Sequence, residues 1–201
     1  MTDLVFNPRG LGKYRVLRLM EAYNLAARAH EGQTRKDGTT PYIYHPSRVA
    51  NSVIAYGGTE PEVIAALWHD IAEDCGNEWY PKMQKCLDRL AYSVYTTWRI
   101  IDMVKSLTKN PNLKNRAEKN KDALERCMMA GTERIKLCDR LDNVRDSACM
   151  TNAFIKVYFE ETDDMLETFL CSGRSLDSTD SDAYAMLTLV LEQTRKSRGI
   201  S

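Results

Sequence analysis

Histidine is the scarcest chemically useful residue in this chain: three in 201 residues, at positions 30, 45 and 69. Imidazole chemistry is therefore confined to the first third of the sequence. The six cysteines, at positions 75, 86, 127, 138, 149 and 171, form no Cys-x-x-Cys pair. That excludes a zinc ribbon and a thioredoxin-like redox motif, and the thiols read as reduced core residues of a cytoplasmic protein. No apolar run approaches 18 residues and no signal peptide opens the chain, so the reading is a soluble intracellular protein without a membrane span. Neither sign of charge is in excess, since 28 Lys+Arg balance 28 Asp+Glu. No global field then favours nucleic acid or a membrane surface, and a local basic loop must recruit any phosphate. Strand signals are few, and the alternation Tyr42-Ile43-Tyr44 is too short for a sheet.

Helical periodicity dominates what remains. It predicts an all-α fold as a single domain over 1–201, with helices at 14–29, 46–55, 59–72, 80–90, 92–107, 113–130, 132–148, 152–170 and 181–197. The segment 32–44 reads as a loop, Gly57-Gly58 as a helix stop, and 171–181, rich in Ser and Asp, as a mobile connection. The last helix is left to pack on the core or on another subunit in a homo-oligomer.

Three charged fragments stand out against this background: Tyr42-Ile43-Tyr44-His45-Pro46, then His69-Asp70-Ile71-Ala72-Glu73-Asp74, then Asp139-Arg140-Leu141-Asp142-Asn143. The second follows the apolar run Val63 to Trp68, opened by Thr59 as cap and Pro61 in the first turn. On a continuous helix Glu73 stacks above His69 and Asp74 above Asp70, putting two ligands and two spare carboxylates on one edge. Four ionisable groups beside an apolar run are costly to bury unless a cation compensates. Asp139, on a separate helix whose polar edge also carries Asp142 and Asn143, closes the site. Two imidazoles and two carboxylates leave an octahedral ion two open positions, for water and a substrate oxygen. The mixed nitrogen and oxygen set suits manganese, iron or cobalt, magnesium less well, and leaves zinc open.

The stretch from Ala29 to Pro46, with His30-Glu31-Gly32-Gln33-Thr34-Arg35-Lys36-Asp37-Gly38 ahead of the first fragment, resembles the hydrolase domain of the Rel/SpoT alarmone enzymes and the stand-alone small alarmone hydrolases. These are members of the HD phosphohydrolase superfamily. The resemblance spans about residues 15–150 in four ordered segments, including Leu107-Thr108-Lys109, with a His45-to-His69 offset of 69 − 45 = 24. It implies an HD-type helical bundle of about nine or ten helices with one central metal site, completed or flanked by the helices at 152–197. It also implies His45, His69, Asp70 and Asp139 as ligands of a divalent metal, manganese first. Glu73 and Asp74 are implied to orient and activate the attacking water. Arg35, Lys36, Lys109 and Asn143 are implied to meet the nucleotide, with Arg116 a candidate phosphate contact. The implied reaction removes the 3′-pyrophosphate of guanosine tetra- or pentaphosphate.

Asp146 departs from the family pattern, and a carboxylate there repels a polyphosphate unless it is turned away. Another nucleotide (an adenosine alarmone, the 2′-phosphate of NADPH or a nucleoside phosphate) and a sensor that binds without turnover are the rival readings. With no room for a synthetase domain, the resemblance implies hydrolysis without synthesis, and a role in lowering alarmone levels or neutralising a toxic alarmone synthetase. His30, at a helix end, reads as structural, and Asp139 beside Arg140 also admits a plain buried ion pair.

Overall fold

The computed structural model describes residues 13–171 and 178–200. Ten α-helices follow one another among them: α1 Lys13–Ala29, α2 Tyr44–Ala55, α3 Glu60–Trp68, α4 Ile71–Cys75, α5 Tyr80–Arg89, α6 Val94–Leu107, α7 Arg116–Ala130, α8 Glu133–Arg145, α9 Asn152–Cys171 and α10 Ser178–Arg198. The extended structure described is a lone antiparallel bridge between Thr34 and Pro41, so the fold is all-α. No described helix is long and apolar enough to cross a membrane.

Local chemistry sets the helix ends. Thr59 precedes α3 with extended backbone, and the Glu62 carboxylate accepts from its N–H at 2.8 Å, satisfying a donor that the first turn leaves free. Gly58 is required there by space, because an added Cβ would collide with the side chain and carbonyl oxygen of Val53. Asn115 caps α7 by accepting from the Glu118 N–H at 2.7 Å. This is why the expected helix from 113 begins at Arg116 instead. Gly131, at φ 62°, ends α7 in the left-handed conformation that suits glycine.

Two further boundaries differ in ways that matter for chemistry. Helix α2 begins at Tyr44, so His45 lies in its first turn. The expected helix over 59–72 breaks at His69-Asp70 into α3 and α4. Asp70, at φ −95° and ψ −10°, leaves ideal helical geometry, and the short α4 resumes at Ile71. The connection expected over 171–181 is shortened from both sides, since α9 runs through Cys171 and α10 starts at Ser178; residues 172–177 lie outside the described residues.

The apolar core is in two clusters that share α8. One gathers Leu19, Val49, Ile64, Leu67, Trp68 and Ile100 from α1, α2, α3 and α6, with Ile135 and Cys138 of α8. The other gathers Phe159, Phe169 and Leu187 of α9 and α10 with Leu137, Leu141 and Val144 of α8. Helix α8 is thus covered on nearly every side, which forces its Asp139, Arg140 and Asp142 into the interior. Arg134 ties the layers, pairing with Glu62 of α3 at 3.0 Å and Asp180 of α10 at 2.8 Å. Of the six thiols, all free, Cys86, Cys127 and Cys138 are buried, Cys75 is half-buried, and Cys149 and Cys171 are exposed. The last two correct the reading of core residues.

Trp68, fully buried, donates its indole N–H to the Ala22 carbonyl at 2.9 Å and so fixes α3 to α1 immediately before the His-Asp turn. Trp68→Ala should cost about 3–5 kcal/mol, the usual range for deleting a buried aromatic. Denaturant titration of the metal-free protein checks it, and a loss below about 1 kcal/mol would show that the core collapses around the gap.

Candidate metal centre and nucleotide cleft

The first turn of α2 and the end of α3 meet across the face of α8. His45, His69 and Asp70 each offer a donor atom, all within 4.8 Å of one another. Asp70 Oδ2 lies 3.4 Å from His45 Nε2 and 3.1 Å from His69 Nε2. From α8, Asp139 Oδ1 approaches the same two nitrogens at 3.3 and 3.7 Å. Donors around a metal with bonds of about 2.1 Å sit roughly 3 Å apart at right angles, so these spacings suit one ion.

Both imidazoles are held in the tautomer a metal needs. The Asp142 carboxylate can only accept, so His45 Nδ1 donates to it at 2.7 Å and leaves the Nε2 lone pair free in the neutral ring. His69 Nδ1 donates to the Ala66 carbonyl at 2.7 Å. Its Nε2 is then buried with no hydrogen-bond partner, the orphan expected of a metal-ligating nitrogen. Asp142 is itself gripped by Arg48 Nε at 2.6 Å and Nη2 at 3.0 Å. Tyr42 donates its hydroxyl to Asp70 Oδ2 at 2.7 Å and stacks on buried His30 at 4.7 Å between centroids. His30 in turn bonds Gln33 at 2.8 Å, so it serves structurally beneath the site.

Without an ion, protons supply the missing charge. Burial resists protonation of His45, but the carboxylates of Asp139, Asp142 and Asp70 outweigh it and lift its pKa to about 9. His69 is likewise raised well above its ordinary value: burial opposes the charge, and Asp70 and Asp139 more than offset it. Asp70 and Asp139 are held well below the carboxylate range, against the cost of burial, by the two imidazoles and, for Asp139, first by Lys136.

The remaining candidates lie along the same cleft, which has a volume of about 970 Å³ and is lined by all eleven residues singled out from the sequence. Glu73 does not lean over His69. The break before α4 turns it to Lys109, whose Nζ and backbone N–H reach its carboxylate at 2.6 and 3.1 Å. Asp74 is raised from its usual pKa by burial and then by the neighbouring Asp70 charge. Arg35 bonds Asp146 at 2.9 Å and Asn143 Oδ1 at 2.9 Å, while Asn143 Nδ2 donates to Asp139 at 2.6 Å. Asp146 is therefore turned onto Arg35 and, at 3.3 Å, Arg48, and the repulsion it threatened is neutralised. Arg116 is paired bidentately with Glu161, and Lys36 lies over the Phe154 ring at 4.5 Å.

Sequence reading assigned no role in the site to Asp142, Tyr42, Arg48, Arg140 or Tyr158. Spacing could have found Tyr42, three residues before His45, and Asp142, three after Asp139. Arg48 and Tyr158 carry no local signal.

A histidine from the first turn of α2, a His-Asp pair at a helix break and an aspartate from a central buried helix mark an HD-type metal-binding domain. The family model described as HD domain matches residues 22–169, and the chain belongs to that family. It is an HD-domain hydrolase related to the Rel/SpoT ppGpp hydrolases. The bifunctional (p)ppGpp synthase/hydrolase SpoT of Escherichia coli is 33% identical over 137 residues, 65% of this chain and 18% of SpoT. The chain spans less than a fifth of the length of such long relatives. The guanosine-3′,5′-bis(diphosphate) 3′-pyrophosphohydrolase MESH1 of Homo sapiens is 29% identical over 169 residues, 79% of this chain and 88% of MESH1. In fold, the chain matches a metazoan ortholog of SpoT that hydrolyzes ppGpp, with a TM-score of 0.65 and 23% identity over 92% of this chain and 97% of that one.

The metal-stripped protein should become less stable as pH rises. A His45 pKa raised from 6.5 to about 9 contributes stability that is fully present below pH 6.5 and lost as pH climbs through 9. The carboxylates of Asp70, Asp139 and Asp142, the His69 ring, the Tyr42 hydroxyl and Arg48 all face this equilibrium. Thermal unfolding of the stripped protein across that window should show a falling midpoint, shallower in Asp142→Asn. A midpoint that is flat or rising would contradict the charge balance described.

Proposed function

We propose that this protein hydrolyses a pyrophosphorylated nucleotide, the 3′-pyrophosphate of guanosine tetra- or pentaphosphate, releasing pyrophosphate and GDP or GTP. One observation carries the reading: the four metal-ligand candidates share a single cleft with eight lysine and arginine side chains, in a chain of zero net charge. A cleft that is cationic only locally fits a small polyanion better than nucleic acid. The activities carried in the names of MESH1 and the long bacterial relatives support the choice of substrate.

His45, His69, Asp70 and Asp139 would hold a divalent cation, manganese first, which would lower the pKa of a water and offset negative charge developing on the phosphoryl oxygens. His45 is aimed by Asp142 and Arg48, and His69 by the Ala66 carbonyl, so neither ring must reorient to ligate. Asp74, with its raised pKa, accepts the proton from the attacking water more readily than an ordinary carboxylate. Glu73, pinned by Lys109, orients that water. Arg35, Lys36, Lys109, Arg116 and Asn143 hold the nucleotide and its phosphates. Arg35 is kept in place by Asp146 and Asn143, which spares the substrate the entropy of ordering a free arginine. The setting we propose is the cytoplasm, where the enzyme lowers alarmone levels or offsets an alarmone synthetase.

Product analysis of manganese-loaded protein, incubated with guanosine and adenosine alarmones, NADPH and nucleoside phosphates, tests the substrate. Pyrophosphate release from the 3′-pyrophosphorylated guanosine compounds, abolished in Asp70→Ala, is expected. Cleavage of another compound alone would overturn the substrate. Glu73→Gln and Asp74→Asn should each lower kcat by roughly 10²–10⁴-fold, the usual worth of acid–base catalysis, while manganese stoichiometry is retained. Turnover unchanged in both variants would refute the roles given to them.

A further inference from the structure

Arg140 is a buried charge with unmet donors. It follows Asp139 on α8, is only 8% exposed and lines the cleft. Its Nε and Nη1 are buried with no hydrogen-bond partner. No ion pair forms with the neighbouring Asp139, from which it diverges by about 100° on the helix; that carboxylate is held instead by Lys136 Nζ at 2.8 Å and Asn143 Nδ2 at 2.6 Å. What Arg140 does meet is the ring of Tyr158, with the guanidinium carbon 4.2 Å from its centroid.

An arginine cannot shed its proton to escape burial, and stacking on an aromatic face offsets only part of the cost of unmet N–H groups. A fold that keeps such a group inside, where a methionine would pack as well, has a use for the charge. Of the other seven cations of the cleft, Arg35 is matched by Asp146, Lys109 by Glu73, Arg116 by Glu161 and Lys136 by Asp139, while Lys36 and Lys114 are exposed and Lys119 is half-buried, open to water in a way that Arg140 is not. Arg140 lines the same cleft as the four metal-ligand candidates, so a phosphate chain it holds shares one cavity with the metal centre.

We propose that Arg140 is a substrate-binding residue that takes the oxygens of the phosphate chain being cleaved and of the pyrophosphate released, with Tyr158 as the platform that holds the guanidinium flat. The inference rests on the hydrolase reading above. Planar, permanently charged donors suit phosphate oxygens, and the dry surroundings strengthen each bond.

The test uses the full chain, manganese-loaded, with inorganic pyrophosphate as the probe in calorimetry at a fixed excess of the metal. Arg140→Met should weaken pyrophosphate binding on the order of ten- to hundredfold, the range for losing a charge-assisted contact. Arg140→Lys should recover part of it. KM for the 3′-pyrophosphorylated nucleotide should rise in step, with manganese stoichiometry unchanged. The unfolding midpoint of Arg140→Met should equal or exceed that of the parent protein, since an unmatched buried charge has been removed. If the parent protein cleaves no nucleotide yet pyrophosphate binding falls as stated, the substrate reading fails and the role of Arg140 stands. Pyrophosphate affinity unchanged in both variants, or a lowered midpoint with lost manganese, would make Arg140 a structural strut and overturn the proposal.

Discussion

Two imidazole nitrogens cannot sit 3.1–3.7 Å from two buried carboxylate oxygens without a charge or protons to reconcile them. Here they do sit so close, and the rest of the site answers that constraint. Asp142 and the Ala66 carbonyl turn both rings so that their Nε2 lone pairs converge. Tyr42 takes one oxygen of Asp70, and Lys136 and Asn143 take the oxygens of Asp139. These contacts leave the four side chains with donor atoms converging on one electron-rich point.

The architecture follows from holding that point still. Helix α8 is shared by both apolar clusters, which is what brings a row of charged residues inside, and it can be buried because its neighbours supply partners for most of them. The break between α3 and α4 serves the same end. Adjacent side chains on an unbroken helix diverge by 100°, whereas the bend at Asp70 lets His69 and Asp70 share a target and sends Glu73 across to Lys109. A single local departure from helical geometry thus sets where His69, Asp70 and Glu73 lie.

Much of this was legible in the sequence, for reasons that are physical. His45, His69, Asp70 and Asp139 stand out because ionisable residues beside apolar runs have few structural explanations. Helix positions followed from periodicity in an all-α chain, and α1, α5, α6 and α9 fall within two residues of their expected limits. The break at His69-Asp70 was not legible, because the run Val63 to Trp68 has the same pattern whether the helix continues or not. Asp142 was seen as part of a polar edge, since nothing local reveals that its partner His45 is 97 residues away. Asp146 looked like a liability until Arg35, 111 residues distant, was seen to neutralise it. Long-range pairing of charges is what sequence patterning does not encode.

The reading depends most directly on the four side chains binding one ion together. Electron spin-echo modulation of the manganese-loaded protein counts the ligating imidazoles, and titration counts the ions. One ion per chain is expected, coupled to two imidazole nitrogens, with one coupling lost in His69→Ala and binding abolished in Asp70→Ala. Manganese bound without nitrogen coupling, or bound equally well after Asp70→Ala, would contradict the site described.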